Sequence, residues 1–387
     1  MAATKLGDHP RSRRIVPSDD VNATTWKPIC IDKIANPLSS GQRSLINAMK
    51  AVLCRNFGPL SDLRLSEADN PSPKAGEVVV RVEACGINFY DGLAVQGKYQ
   101  TKPALPFSPG GEIAGVVTEA AHDVTSLKPG DRVLAFTGFG GYAEYAAVDS
   151  ANVFPLPDET DFDKAAALMI GHATAHHALK ERAGILPGDN VLVLGAAGGV
   201  GLAAVEIAAL FGGNVIAAAS TAEKLKLAKS RGASDCIDYS SEDLRSRVKE
   251  LTGGRGVDIV VDPVGGDLAA TALRCLATGG RYMVIGFAAG DIPSVAFNQL
   301  LLKQISVVGV LWGAYAKANP DLNKANIAEL MEWLVAGRIR PYVAETWPLD
   351  RFSEALGRVM RREAKGKVVI RPQERSAAQL QDVRESA

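Results

Sequence analysis

The chain has 387 residues, and 43 lysines and arginines balance 43 aspartates and glutamates, for a formal net charge of +0. A neutral chain has no general attraction for nucleic acid or for an anionic membrane surface, so neither is expected as a partner. Hydrophobic residues make up 47% of the chain, and at roughly 100–200 residues per domain two domains with full cores are expected.

At the N-terminus there is no apolar h-region of a secretory signal. Arg11, Arg13 and Arg14 suit a transit peptide, but Asp8, Asp19, Asp20 and Asp32 argue against one. Residues 1–48 are therefore read as a disordered arm. Farther along, no charge-free apolar stretch reaches about 18 residues, so no membrane span is expected. Cys30, Cys54, Cys85, Cys236 and Cys275 are scattered, odd in number and form no C-x-x-C pair. They read as free thiols of a reducing compartment, the cytoplasm or alternatively the mitochondrion.

Residues from about 50 to 160 read as β-rich. Val78–Val82, Gly115–Val117 and Asp131–Ala135 are strand candidates, separated by Pro/Gly punctuation such as Pro106–Gly111. From Asp163 a helix is expected through Ala165–Ala167 toward Leu179. Pro187-Gly188-Asp189 then introduces a strand over Val191–Leu194. Strand and helix alternate from there: Val215–Ala219, helix Ala222–Arg231, strand Val257–Val261, helix Leu268–Leu276, strand Arg281–Ile285. Such alternation implies right-handed βαβ units on a parallel sheet. Two more helices and a Val368–Ile370 strand are expected between Ala325 and Ile370.

The most informative segment is Gly195-Ala196-Ala197-Gly198-Gly199-Val200-Gly201, between the Val191–Leu194 strand and the apolar helix pattern from Leu202. Strand, glycine turn and helix in that order read as a dinucleotide-binding turn. Gly195 would allow the tight turn, Gly198 and Gly199 the approach of a pyrophosphate, and Gly201 close packing of helix on strand. The N–H groups of the helix N-terminus would face the phosphates. The alternative is a glycine-rich turn without a ligand.

Several further motifs stand in order: Cys85-Gly86-Ile87-Asn88-Phe89-Tyr90-Asp91, Pro106-Phe107-Ser108-Pro109-Gly110-Gly111-Glu112, Gly130-Asp131-Arg132-Val133 and Gly366-Lys367-Val368-Val369. With the glycine turn, they make the chain from about Lys50 to Pro372 resemble the medium-chain dehydrogenase/reductase superfamily, and within it the zinc-free quinone oxidoreductase (zeta-crystallin-like) branch. The resemblance implies an α/β fold in which a GroES-like β-rich catalytic domain accompanies a doubly wound Rossmann domain. The expected boundaries are 49–165 for the first part of the catalytic domain, 166–312 for the NADP-binding domain, 313–372 for the return to the catalytic domain and 373–387 for a flexible tail. It also implies a homodimer.

Zinc dehydrogenases of this superfamily place metal ligands where Asn88, Gly111 and Ile170 stand here, and these three do not form a zinc set. His172 and His176 form an i, i+4 pair beside His177, but two ligands fall short of the three that zinc normally takes from protein. No metal is expected.

The second Rossmann strand ends Ala217-Ala218-Ala219-Ser220-Thr221, with no acid to repel a 2′-phosphate. Ser220 and Lys224 follow, and the resemblance adds Tyr239. NADPH is therefore expected over NADH. For the rest of the cofactor the resemblance points to Thr174, to Gly286 and Phe287 at the nicotinamide end, to Trp312 near the cleft, and to Lys367 at a phosphate. Plain alternatives are helix packing for Thr174, a core or interface aromatic for Trp312, and a surface lysine for Lys367.

Without a Lewis acid, hydride delivery suits an electron-poor acceptor such as a quinone or an α,β-unsaturated carbonyl. Asn88, Tyr90 and Tyr99 are the candidate polar groups beside it, with Asp91 orienting their loop. Tyr99 matches a cleft tyrosine suspected as proton donor in enoyl reductases of the superfamily; its alternative is a loop aromatic capping the barrel. Three functions stay open at this point: quinone reduction, reduction of an enone, enal or enoyl thioester, and a structural role for a cofactor-binding protein.

Overall fold

The structure, a computed structural model, describes residues 48–373. The arm read over 1–48, with Cys30, and the tail read over 373–387 lie outside the described residues, apart from Ala48 and Gln373.

The described residues open with an antiparallel ribbon of β1 (Ala48–Leu53) and β2 (Arg64–Asp69). Next come β3 (Glu77–Gly86), α1 (Phe89–Val95), β4 (Glu112–Ala120), β5 (Arg132–Phe136), β6 (Tyr145–Asp149) and β7 (Val153–Pro155). After α2 (Phe162–Ala166) and α3 (Met169–His176), a π-helical stretch runs from His177 to Ala183. The alternating part holds β8 (Asn190–Leu194), α4 (Gly199–Leu210), β9 (Asn214–Ala219), α5 (Ala222–Lys229), β10 (Asp235–Asp238), α6 (Leu244–Leu251) and β11 (Val257–Asp262). It continues through α7 (Gly266–Cys275), β12 (Leu276–Val284), α8 (Phe297–Lys303) and β13 (Ser306–Gly309). The chain closes with α9 (Trp312–Ala318), α10 (Pro320–Val335), β14 (Val343–Pro348), α11 (Phe352–Met360) and β15 (Lys367–Arg371).

Six strands form a parallel sheet in the order β10-β9-β8-β11-β12-β13. The order reverses between β8 and β11, so the carboxyl end of β8 is the switch point where a crevice opens in such sheets. The first sheet has the order β14-β15-β3-β4-β5-β7, with β6 also on β3. Its β15 pairs antiparallel with β3, Val369 opposite Gly86, so the end of the chain completes the sheet that the beginning started. One buried cluster joins the two sheets, with Ala114 and Leu134 of the first and Val193 and Met283 of the second. The two-unit α/β architecture read from the sequence is thus present.

One continuous helix was expected through Ala165 toward Leu179; the structure breaks it between α2 and α3. The fully buried Glu112 supplies the physical reason: its Oε2 accepts from the Ile170 backbone N–H at 2.7 Å and so caps a new helix start. The pattern then widens into the π-helical stretch rather than ending at Leu179.

Candidate functional site

The glycine turn lies at the switch point, between β8 and α4. Gly195 has φ +56°, which favours glycine. A side chain at Gly201 would drive into the Gly195 carbonyl, so its absence sets how closely α4 approaches the strand. The α4 N-cap, Gly198, offers no capping side chain, which leaves the first-turn N–H groups for an anion. Gly199 has a further reason beside the sequence reading. A Cβ there would stand 3.0 Å from Lys367 Cδ, so the glycine also leaves room for a lysine stem. The turn is also bonded to the other sheet, since Gly366 N–H donates to the buried Ala197 carbonyl at 2.7 Å.

Ser220 and Lys224 stand past the end of β9, and Thr221 caps α5 by accepting from the Lys224 N–H. Lys224 Nζ donates to the Arg362 carbonyl at 3.2 Å, 138 residues along the chain. Burial raises the Tyr239 phenol above its usual range, and a bond to Ser220 and the nearby Arg362 guanidinium act against that. Arg362 is a residue the sequence reading missed. It has φ +60° in the turn between α11 and β15. Among the described residues no carboxylate pairs with Arg362 or Lys224. Two uncompensated cations, a hydroxyl and a phenol at one corner fit a phosphate.

Lys367 overturns the surface alternative, and its partners in this arrangement lie away from the expected phosphate. It is buried rather than on the surface, and its Nζ donates to Ile87 O at 2.9 Å, to Asn88 Oδ1 at 2.8 Å and to Glu112 Oε1. An ammonium has three donors, so none is left for a cofactor phosphate. Asn88 is equally engaged. Its Nδ2 donates to Glu112 Oε1 at 2.8 Å and to Gly86 O at 3.2 Å. Asn88 therefore positions the loop; in this arrangement its amide has no free N–H for an oxyanion.

Asn88, Gly111 and Ile170 do converge. Asn88 and Ile170 meet on Glu112, and a side chain at Gly111 would collide with the Tyr90 hydroxyl. That hydroxyl donates to Gly138 O at 2.8 Å, so it too is engaged, and burial, then Asp91, pushes the Tyr90 phenol well up. Tyr99 packs on Tyr90 with ring centroids 5.1 Å apart. Burial, then Asp91, also raises its phenol. Among the described residues Tyr99 is the one candidate donor here whose hydroxyl has no protein partner.

Asp91 holds this loop from beneath. Its Oδ2 accepts from the Asn88 N–H at 2.8 Å and from the Tyr142 hydroxyl at 3.1 Å, while its buried Oδ1 has no partner. Burial outweighs those hydrogen bonds and lifts the carboxyl to about 7. The folded protein thus keeps a proton that the unfolded chain releases from about pH 3.8. The sign follows: this group's contribution to stability is lost as pH rises from about 4 to about 7. Each unit of pKa difference corresponds to about 1.4 kcal/mol. Melting temperatures measured across that range should fall more steeply for the natural protein than for Asp91→Asn; parallel curves would refute it.

The remaining expected residues lie as follows. Thr174 is buried in α3, and Val200 is half-buried in the first turn of α4. Gly286 and Phe287 follow β12 at the carboxyl edge of the sheet. Gly286 N–H and Ala288 N–H bond back to Asp262 O and Pro263 O, and the Phe287 ring covers Gly265. Trp312 is a core aromatic: it packs edge-on against Phe136 at 4.9 Å, and its indole N–H donates to Asn323 Oδ1 at 3.0 Å. The histidines do not share a point. His172 bonds Glu206 of α4, His176 bonds Glu329 of α10, and His177 stacks on Tyr315. Burial, then Arg182, lowers His177 to about 4. Among the described residues no group of three or more His, Cys, Asp or Glu could hold a metal ion.

Comparison with known proteins agrees with this architecture. Residues 74–158 match the alcohol dehydrogenase GroES-like domain, and residues 199–335 match the zinc-binding dehydrogenase family. Quinone oxidoreductase-like protein 2 homolog of Nematostella vectensis is 42% identical over 325 residues, covering 83% of this chain and 88% of that one. Homo sapiens quinone oxidoreductase is 32% identical over 336 residues, covering 86% and 99%. The solved structure of Escherichia coli quinone oxidoreductase complexed with NADPH has a TM-score of 0.79 at 30% identity, covering 84% of this chain and 100% of that one. Matched over nearly the whole length of these relatives and folded as they are, the chain belongs to the quinone oxidoreductase (zeta-crystallin-like) branch of the medium-chain dehydrogenase/reductase superfamily.

Proposed function

We propose that the protein reduces a quinone with NADPH, without zinc. The observation that carries the cofactor is the pairing of two sites on one edge of the parallel sheet. These are the anion-ready glycine turn at the β8 switch point and the Ser220–Lys224–Tyr239–Arg362 corner beyond β9. Bound NADPH supplies the hydride. The chain's residues do the rest: α4 faces the pyrophosphate, the corner takes the 2′-phosphate, and the loop from Asn88 to Tyr99 forms the acceptor side. Tyr99 is the group able to donate a hydrogen bond or proton to the acceptor oxygen. Where a zinc dehydrogenase needs ligand side chains, this chain has an engaged amide, a glycine backed by the Tyr90 phenol, and an isoleucine; this donor set suits no zinc.

The deciding experiment is an NADPH oxidation assay with quinones, enals, enones and enoyl thioesters, with NADH as control and repeated after treatment with a chelator. Turnover on quinones with NADPH, unchanged by the chelator, is expected. Loss of activity together with about one zinc per chain, or activity on enoyl thioesters alone, would overturn the reading.

A homodimer accompanies this reading. β13 is an edge strand of the parallel sheet, and α8 beside it exposes Phe297, Leu301 and Leu302 to solvent. An unpaired edge flanked by apolar side chains suits a second copy related by a twofold axis. Light scattering should give twice the chain mass, and Leu301→Glu with Leu302→Glu should halve it; a monomeric natural protein would refute the dimer. No helix among the described residues is long and apolar enough to cross a membrane. Cys54, Cys85, Cys236 and Cys275 are free, which supports a reducing compartment and, in this reading, the cytoplasm.

A further inference from the structure

We propose that Lys367 is a positioning residue that mechanically ties the phosphate-binding turn to the acceptor loop, its stem lying against Gly199 and its ammonium fixing Asn88 and Glu112. This rests on the reading of the glycine turn as the NADPH site.

Four segments meet at this side chain. Lys367 opens β15, one residue after Gly366 bonds the Ala197 carbonyl of the turn and forms a parallel bridge with Gly198. Its stem passes 3.0 Å from where a Cβ of Gly199 would stand. Its Nζ then reaches Ile87 O, Asn88 Oδ1 and Glu112 Oε1 at the mouth of α1. The same carboxylate caps α3 through Ile170, and α3 in turn lies against the glycine turn, where a Cβ on Gly171 would stand 3.2 Å from Gly199 O. Turn, α3, β15 and the Asn88 loop therefore form a closed ring around one buried ion pair.

A displacement of the turn by a bound phosphate must move the Lys367 stem, and the stem cannot move without loosening Asn88. The Asn88 loop leads directly into α1 and on to Tyr90 and Tyr99. Turning Lys367 to a phosphate instead would leave the fully buried Glu112 carboxylate without its cation, which is strongly unfavourable. The expected signature of a tie is therefore a loss in turnover with cofactor affinity preserved. The signature of a phosphate ligand is the reverse.

The test uses the full chain with two variants, Lys367→Met and Lys367→Met combined with Glu112→Gln. Methionine keeps an apolar stem under Gly199 and removes the charge. NADPH binding is measured by fluorescence titration, turnover by quinone reduction at saturating NADPH, and folding by thermal melting. Lys367→Met should bind NADPH within threefold of the natural protein and lose at least tenfold in kcat. The double variant should recover most of that loss, because the amide at 112 no longer needs a cation: its carbonyl accepts from the Ile170 N–H, and its NH2 donates to the Asn88 Oδ1 that the ammonium has left once the Asn88 amide turns over. A tenfold weaker NADPH affinity in either variant would make Lys367 a phosphate ligand and overturn the proposal. A lowered melting temperature with kcat unchanged would reduce the pair to a structural role and also overturn it. If Lys367→Met does not fold, the charge-free double variant decides by the same affinity criterion. Absence of NADPH binding by the natural protein would overturn the dehydrogenase reading itself, and with it the tie.

Discussion

Tyr99→Phe should lower NADPH-dependent reduction of an enone by about 10²- to 10⁴-fold, the usual worth of a general acid, while quinone reduction falls far less. The substitution removes one oxygen and keeps the ring that packs on Tyr90. The other hydroxyls and amides near the acceptor side have partners: Tyr90 on Gly138 O, Asn88 on Glu112 and Gly86, Tyr142 on Asp91. Tyr99 alone among them has a donor to offer. An enolate needs a proton before it is released, whereas a hydroquinone anion is stable enough to take one from water. Burial raises the Tyr99 phenol, so it stays protonated at neutral pH and acts as a donor. Steady-state rates on both acceptor classes check this. Equal rates for the natural protein and Tyr99→Phe on both would make Tyr99 a cleft-lining aromatic only.

Lys224→Ala and Arg362→Ala should each weaken NADPH binding roughly tenfold to a hundredfold and leave NADH nearly unchanged, since hydrogen bonds to charged groups contribute about 1.5–3 kcal/mol. Lys224 comes from the first turn of α5 and Arg362 from the turn before β15, and they meet through the Arg362 carbonyl. Because they touch, their effects should not add fully. Titration of the two cofactors against each variant provides the measurement. Equal losses for NADPH and NADH would show that neither cation reads the 2′-phosphate.

What the sequence revealed and what it concealed divide along a physical line. The glycine turn, its flanking strand and helix and the parallel alternation were legible because each is set by neighbours in sequence. Gly201 against the Gly195 carbonyl is such a local contact. At Gly199 the sequence could not show the Lys367 stem, which arrives from the far end of the chain and lies 3.0 Å from where a Cβ would stand. Lys367 looked like a surface or phosphate lysine for the same reason: its carboxylate partner lies 255 residues earlier. Arg362 gave no signal beyond its charge, since a positive φ in a non-glycine residue has no mark in the sequence. The break between α2 and α3 was hidden because Ala165–Leu179 has helical composition throughout, and only a buried carboxylate from β4 interrupts it. Strands β1, β2, β6, β7, β10, β13 and β14 are short or edge-exposed, with weak alternation, and leave little mark in the sequence.

The pairing of β15 with β3 also sets a timetable for synthesis. Lys367 and Ile87, which it bonds, are 280 residues apart. At translation rates of about 5–20 residues per second, the neighbour of β3 emerges from the ribosome roughly 15–60 s after β3 itself. The parallel sheet, whose strands all lie inside that interval, can close first. Until the last segment appears, the Cys85–Gly86 end of β3 is unpaired on the side away from β4, and Glu112 waits without its cation. A nascent chain stalled before residue 367 should therefore carry a closed parallel sheet beside an unfinished catalytic half and a glycine turn that still lacks its Gly366 and Lys367 contacts, the state in which a chaperone has most to hold.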